Sequence, residues 1–223
     1  MTRGIRVVIA VTICGMLAVG AAACGGGTAR DASAGGDGSR AELTRLRGLL
    51  RAGASRLPDG FSARARDGWV PPFRAANQNC RLLLDTAGDG GVDPGGRTRV
   101  AVTYPGDRLG ELAGVSMASY TGQGAELRFA ELTRALDGCR VARNALAGKG
   151  TLFRVSRLRL DDAGSDVQAR RLRGRLNGYP YEMHVVFALT GNTLVSLVHT
   201  GVARVDAART GQLTRSLIDG AAS

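Results

Sequence analysis

Between two long runs of apolar, aromatic and β-branched residues, 179–189 and 193–200, stands the pair Gly191-Asn192. A glycine-first pair between two such runs is a two-residue hairpin signal, so the runs form neighbouring antiparallel strands. Thr190 then opposes Thr193, and pairing steps outward until His184 opposes His199. Directly opposed residues share one face of a sheet with Cβ atoms about 5 Å apart. These are the only two histidines in the chain. Two imidazoles that close can hold zinc or act as a pH sensor, but no third ligand is evident, so no metal is assigned. The simpler reading is a pair on a sheet surface that happens to be histidine.

The rest of the chain supplies partners for that hairpin. Residues 97–104, 112–121, 152–160 and 167–177 alternate or run apolar between turn signals and read as further strands, and a short one is expected within 61–66. Ser39-Arg40-Ala41-Glu42 carries the Ser-x-x-Glu capping pattern, and Leu43, Leu46, Leu49 and Leu50 follow at helical spacing up to Gly53. Residues 75–85, 125–138 and 206–218 also read as helices. Helices interspersed among runs of strands, without strict alternation, mean α+β. The expected architecture is an antiparallel sheet with helices packed on one face.

The first residues have a different character. Arg3 and Arg6 precede an apolar run from Val7 to Val19, and Gly20-Ala21-Ala22-Ala23-Cys24 closes it. Positive, apolar, small is the order of a secretory signal peptide, and the run is too short for a comfortable membrane span. Ala21-Ala22-Ala23-Cys24 resembles a bacterial lipobox, with alanine where leucine is commoner at its first position. Cys24 would then carry diacylglycerol and palmitate, and the two or three chains of a lipoprotein give a firm tether. The expected division is a signal peptide over 1–23, a flexible linker over 24–38 and one domain over 39–223. The linker is nearly all Gly, Ala, Ser, Asp and Thr, which cannot bury a core. Cys80 and Cys139 are the cysteines left in the domain. In an oxidising compartment a disulfide between them is the simplest reading, and two buried free thiols are the alternative.

Loss of Arg3 and Arg6 with the signal segment would lower the net charge from +11 to +9. Lys149 is the only lysine, so the excess is arginine. Such a surface favours anionic partners: lipid head groups, cell-wall phosphate polymers or, least of all for an exported chain, nucleic acid. Arg154, Arg157, Arg159, Arg170, Arg171, Arg173 and Arg175 crowd two neighbouring strands, with Asp161, Asp162 and Asp166 in the connecting turn. Alternation puts Arg171, Arg173 and Arg175 on one face. They form either an anion-binding surface or, as the preferred reading, a solvated face that discourages edge pairing. Trp69 and Phe73 flank two prolines and line a ligand groove or anchor the core. There is no G-x-S-x-G elbow, no H-E-x-x-H pair and no Walker A loop.

Tyr104-Pro105-Gly106-Asp107-Arg108-Leu109-Gly110, the strand Val115-Ser116-Met117-Ala118-Ser119-Tyr120, the helix end Leu136-Asp137-Gly138-Cys139 and the late hairpin at Gly191 to Val195 together resemble actinobacterial sensor domain-containing lipoproteins. These are similar to the extracellular sensor domain of PknH-type receptor kinases. The resemblance runs from about Arg40 onward and implies a cleft-bearing, disulfide-stabilised α+β domain; with no catalytic motif present, the leading reading is a non-enzymatic domain without cofactor. Members commonly carry two bridges, whereas this chain has cysteines for one. The implied protein is tethered to the outer face of the cell membrane and binds an unknown extracellular ligand, for which the basic charge favours an anion. A signal would pass to a separate membrane protein partner, and nucleic acid is not expected. Candidate ligand contacts are Trp69, Phe73, Arg171, Arg173, Arg175, His184 and His199. A lipid or polymer carrier would instead need a large apolar cavity, and an envelope hydrolase or its accessory would need a buried carboxylate or hydroxyl beside a histidine.

Overall fold

The computed structural model describes residues 31–89, 98–146, 150–160, 166–202 and 204–222. The signal segment, Cys24, Lys149, Asp161 and Asp162 lie outside the described residues. In chain order the elements are α1 (Asp31–Ala54), α2 (Gln78–Ala87), β1 (Thr98–Pro105), β2 (Leu112–Ser119), α3 (Gly124–Gly138), β3 (Val141–Arg143), β4 (Leu152–Arg157), β5 (Val167–Leu176), β6 (Tyr179–Thr190), β7 (Thr193–Val202) and α4 (Ala207–Ala222). The strands form one seven-stranded sheet in the order β1-β2-β7-β6-β5-β4-β3. Every pairing is antiparallel. After the β1–β2 hairpin the chain crosses through α3 to the far edge. It then walks back strand by strand until β7 closes beside β2.

Two tight turns fix the registers that matter. Gly191 sits at φ +53°, which its missing Cβ allows, and Thr190 pairs with Thr193 as the two-residue loop requires. His184 therefore pairs with His199. Asn177 and Gly178 both take positive φ, the signature of a type I′ turn, and join β5 to β6 with Leu176 opposite Tyr179. That register places Arg171 opposite His184 and Arg173 opposite Glu182.

The antiparallel α+β architecture is as expected, but the helices cover both faces rather than one. Met183, Val185 and Phe187 of β6 and Leu194 and Val198 of β7 pack under α2 and α3. Their alternating neighbours Val186, Ala188, Val195 and Leu197 pack with Leu46 and Leu50 of α1 and Leu213 and Leu217 of α4. Strands apolar on both sides need a cover on both sides, so two helix pairs sandwich the central strands. The Tyr104 hydroxyl donates to the Leu50 carbonyl at 3.2 Å and ties α1 to β1. A disulfide joins Cys80 of α2 to Cys139 at the end of α3.

Other differences are local. α1 starts at Asp31, so Ser39 lies within it instead of capping it. Residues 61–66 make two isolated bridges, Phe61 with Gly106 and Arg66 with Thr103, in place of a strand. The three-residue β3 is too short to leave a periodic trace in the sequence.

Candidate functional site

α1 and α4 pack on β1, β2, β6 and β7, and the same face of β3, β4 and β5 lies beyond them. This open face forms a cleft of about 1340 Å³. Pairing places Arg171, Arg173 and Arg175 opposite Ser156, Arg154 and Leu152. Arg143 from β3 and Arg204 beyond β7 bring the lining arginines to six. Leu146, Leu152 and Pro180 supply apolar wall between them. Among the described residues the one carboxylate that answers these cations is Glu182, almost fully buried at the cleft's inner edge. Its Oε1 lies 3.2 Å from Arg171 Nε and its Oε2 3.8 Å from Arg173 Nε. Arg175 donates to the Gly178 carbonyl at 2.8 Å. Among the described residues no carboxylate pairs with Arg143, Arg154 or Arg204. So many like charges beside a low-dielectric wall make a field that attracts anions.

Behind Glu182 runs a buried polar chain. His184 and His199 are 0% and 1% exposed, with ring centroids 6.2 Å apart and ring planes near perpendicular. Both Nδ1 atoms meet the Thr210 hydroxyl of α4, at 2.7 and 2.9 Å. His184 Nε2 lies 2.9 Å from Glu182 Oε1, and His199 Nε2 lies 3.2 Å from Glu111 Oε1. Arg171 Nε donates to His184 Nε2 at 3.3 Å. At the far end Arg209 pairs with Glu111 and Asp107 and lies over the Phe61 ring, which meets the His199 edge. A small cavity of about 140 Å³ reaches Glu111 and His199 from beneath Arg108 and Val202. Burial pushes His184 below its ordinary value, against the pull of Glu182. Burial, then the neighbouring His184 and Arg209, drives His199 down to about 3.

A hydroxyl, an imidazole and a carboxylate in sequence have the outline of an acyl-transfer triad. Thr210 is 0% exposed, however, and its one oxygen touches two imidazoles and the Asp206 carbonyl. No substrate carbonyl can approach it. What this geometry can do is hold and relay protons between the cleft and the cavity at Glu111.

Arg171, Arg173 and Arg175 thus meet in the cleft, as one face of β5 requires. His184 touches the cleft only through Arg171, and His199 stands a further step away. Trp69 and Phe73 are not brought to either place. They lie on the other side of the sheet, where Phe73 stacks on Phe153 at 5.5 Å and Trp69 fills the space above Gly114. Arg170 also points away, to Asp137 at 2.8 Å. Glu182, Glu111, Thr210, Arg143 and Arg204 were not singled out from sequence. Glu182 was within reach, since it stands two residues from His184 on one strand and must share its face. Nothing local marks the others.

The fold is similar to the crystal structure of the extracellular domain of PknH from Mycobacterium tuberculosis, with a TM-score of 0.54 and 12% identity over 79% of this chain and 94% of that one. No protein-family model and no curated protein matches the chain. What is shared at this identity is the fold, an antiparallel sheet with packed helices.

Proposed function

We propose that this chain is a lipid-anchored extracytoplasmic binding domain, non-enzymatic, whose ligand is an anion seated in the arginine cleft. The cleft itself carries the reading: among the described residues six arginines line it and one buried carboxylate answers them. A solvated face that merely resists edge pairing needs no concavity and no apolar wall. The likeness to an extracellular domain supports the placement outside the cytoplasm, and Cys24 supplies the anchor. A separate membrane protein would read the bound state.

The test is a calorimetric titration of the full chain, in neutral detergent, with sulfate. Arg143→Glu combined with Arg154→Glu should weaken binding at least about tenfold, as removal of two close cation contacts implies. Equal binding by the variant, or none by the parent, sinks the reading. An envelope hydrolase draws support from the Glu182–His184–Thr210 contact alone. Labelling of Thr210 by a fluorophosphonate probe would be its positive sign.

A further inference from the structure

We infer that the cleft takes its anion together with a proton: an oxyanion that engages Arg171 is held with one proton taken up by the Glu182–His184 pair beneath it. This rests on the reading of the cleft as an anion site and adds to it the regulation of that site.

The inference comes from counting hydrogens. The buried chain has four contacts that each need one: Glu182–His184, His184–Thr210, Thr210–His199 and His199–Glu111. Two neutral imidazoles bring one hydrogen each and Thr210 brings one. Three hydrogens cannot fill four contacts, and the Asp206 carbonyl competes for the threonine's. The missing hydrogen comes from the cleft. Arg171 Nε donates to His184 Nε2 at 3.3 Å and stands 3.2 Å from Glu182 Oε1 as an ion pair, so one guanidinium serves both acceptors. With that donor in place hydrogen bonds run in one direction, from Arg171 through His184, Thr210 and His199 to Glu111, and the remaining contact, Glu182 with His184, is held by the Arg171 cation that lies against both atoms. Both imidazoles stay neutral, which their burial favours.

Arg171 is 38% exposed and reaches the cleft from the same guanidinium. An oxyanion that draws its N–H away leaves His184 Nε2 and Glu182 Oε1 facing each other at 2.9 Å, two buried acceptors with nothing between them. The incoming negative charge also weakens the hold of Arg171 and Arg173 on Glu182. One added proton repairs both defects. His184 becomes an imidazolium that donates from Nδ1 to Thr210 and from Nε2 to Glu182. The other charged groups around the pair are already engaged. Glu111 meets Arg209, which also meets Asp107. Asp206 acts on His184 only through space, and Arg108 reaches only His199. Proton uptake therefore falls to His184 and Glu182.

The probe is sulfate, which does not titrate near neutral pH, so any proton change belongs to the protein. Its binding to the full chain in neutral detergent is measured at about pH 6 in two buffers of different ionisation enthalpy. We expect uptake of about one proton per sulfate, and affinity that falls about tenfold per pH unit above that point. His184→Gln, which cannot take the proton, should bind sulfate with no buffer-dependent heat. If that variant does not fold, the parent's two-buffer comparison decides alone. Dihexanoylphosphatidylglycerol as monomers replaces sulfate in a second arm. Uptake with that lipid as well assigns the oxyanion to a phosphodiester head group, and uptake with sulfate alone assigns it to a free oxyanion. Sulfate binding with equal heats in both buffers overturns the inference and leaves the cleft reading standing. No sulfate binding overturns both.

Discussion

Lowering the pH from about 7 to about 5 should loosen this fold through two sealed imidazoles. His199 titrates near 6.5 in an unfolded chain and at about 3 in the folded one. Above the higher value both states are neutral, and stability is at its maximum. Below it the unfolded chain gains a proton that the folded chain refuses, so stability falls with pH until the folded value is reached. Each pH unit in that window costs about 1.4 kcal/mol per histidine, so His199 alone costs about 2 kcal/mol at about pH 5. His184 is shifted in the same direction and steepens the fall. The chain has no other histidine, so the window reports on this pair. Urea unfolding at constant ionic strength is the assay, and a midpoint drop of about 1 M is expected for an ordinary denaturant slope. His199→Gln should flatten the dependence. A midpoint that stays level between these two pH values would refute the sealed, neutral state of the pair.

Two further outcomes follow from packing. The disulfide closes a separation of 59 residues, and its removal by Cys80→Ala with Cys139→Ala should cost about 4 kcal/mol in urea unfolding, nearly all of it by freeing the unfolded chain. A Cβ on Gly174 would stand 1.9 Å from the Leu152 carbonyl oxygen, which is backbone and cannot turn aside. Gly174→Ala should therefore part β4 from β5 at a cost of about 3 kcal/mol, seen as faster amide exchange in β4.

How far the fold was legible depended on distance along the chain. Gly191-Asn192 fixed a register, and the His184–His199 pair followed by arithmetic. The burial of that pair did not follow, because the cover is α4, whose Thr210 comes from outside the hairpin. Both-sided burial was written in the unbroken runs Val185-Val186-Phe187-Ala188 and Leu194-Val195-Ser196-Leu197-Val198, which no one-faced sheet would need. Alternation in β5 grouped Arg171, Arg173 and Arg175, but their concavity depends on where α1 and α4 stop. Glu111 closes the buried chain from 88 residues away, a contact that only the crossover through α3 brings about.

The strand order also dictates when the molecule can be assembled. β2 pairs Leu112 with Thr200 of β7, and α1 packs against α4, the last helix. Beyond the β1–β2 hairpin and the α2–α3 pair, the first half of the chain thus waits for its neighbours until the final stretch is available. Closing such distant pairings is slow, because the loop entropy is lost before the contacts return it. A polypeptide so arranged stays pliant while it is being made and sets only once its end arrives.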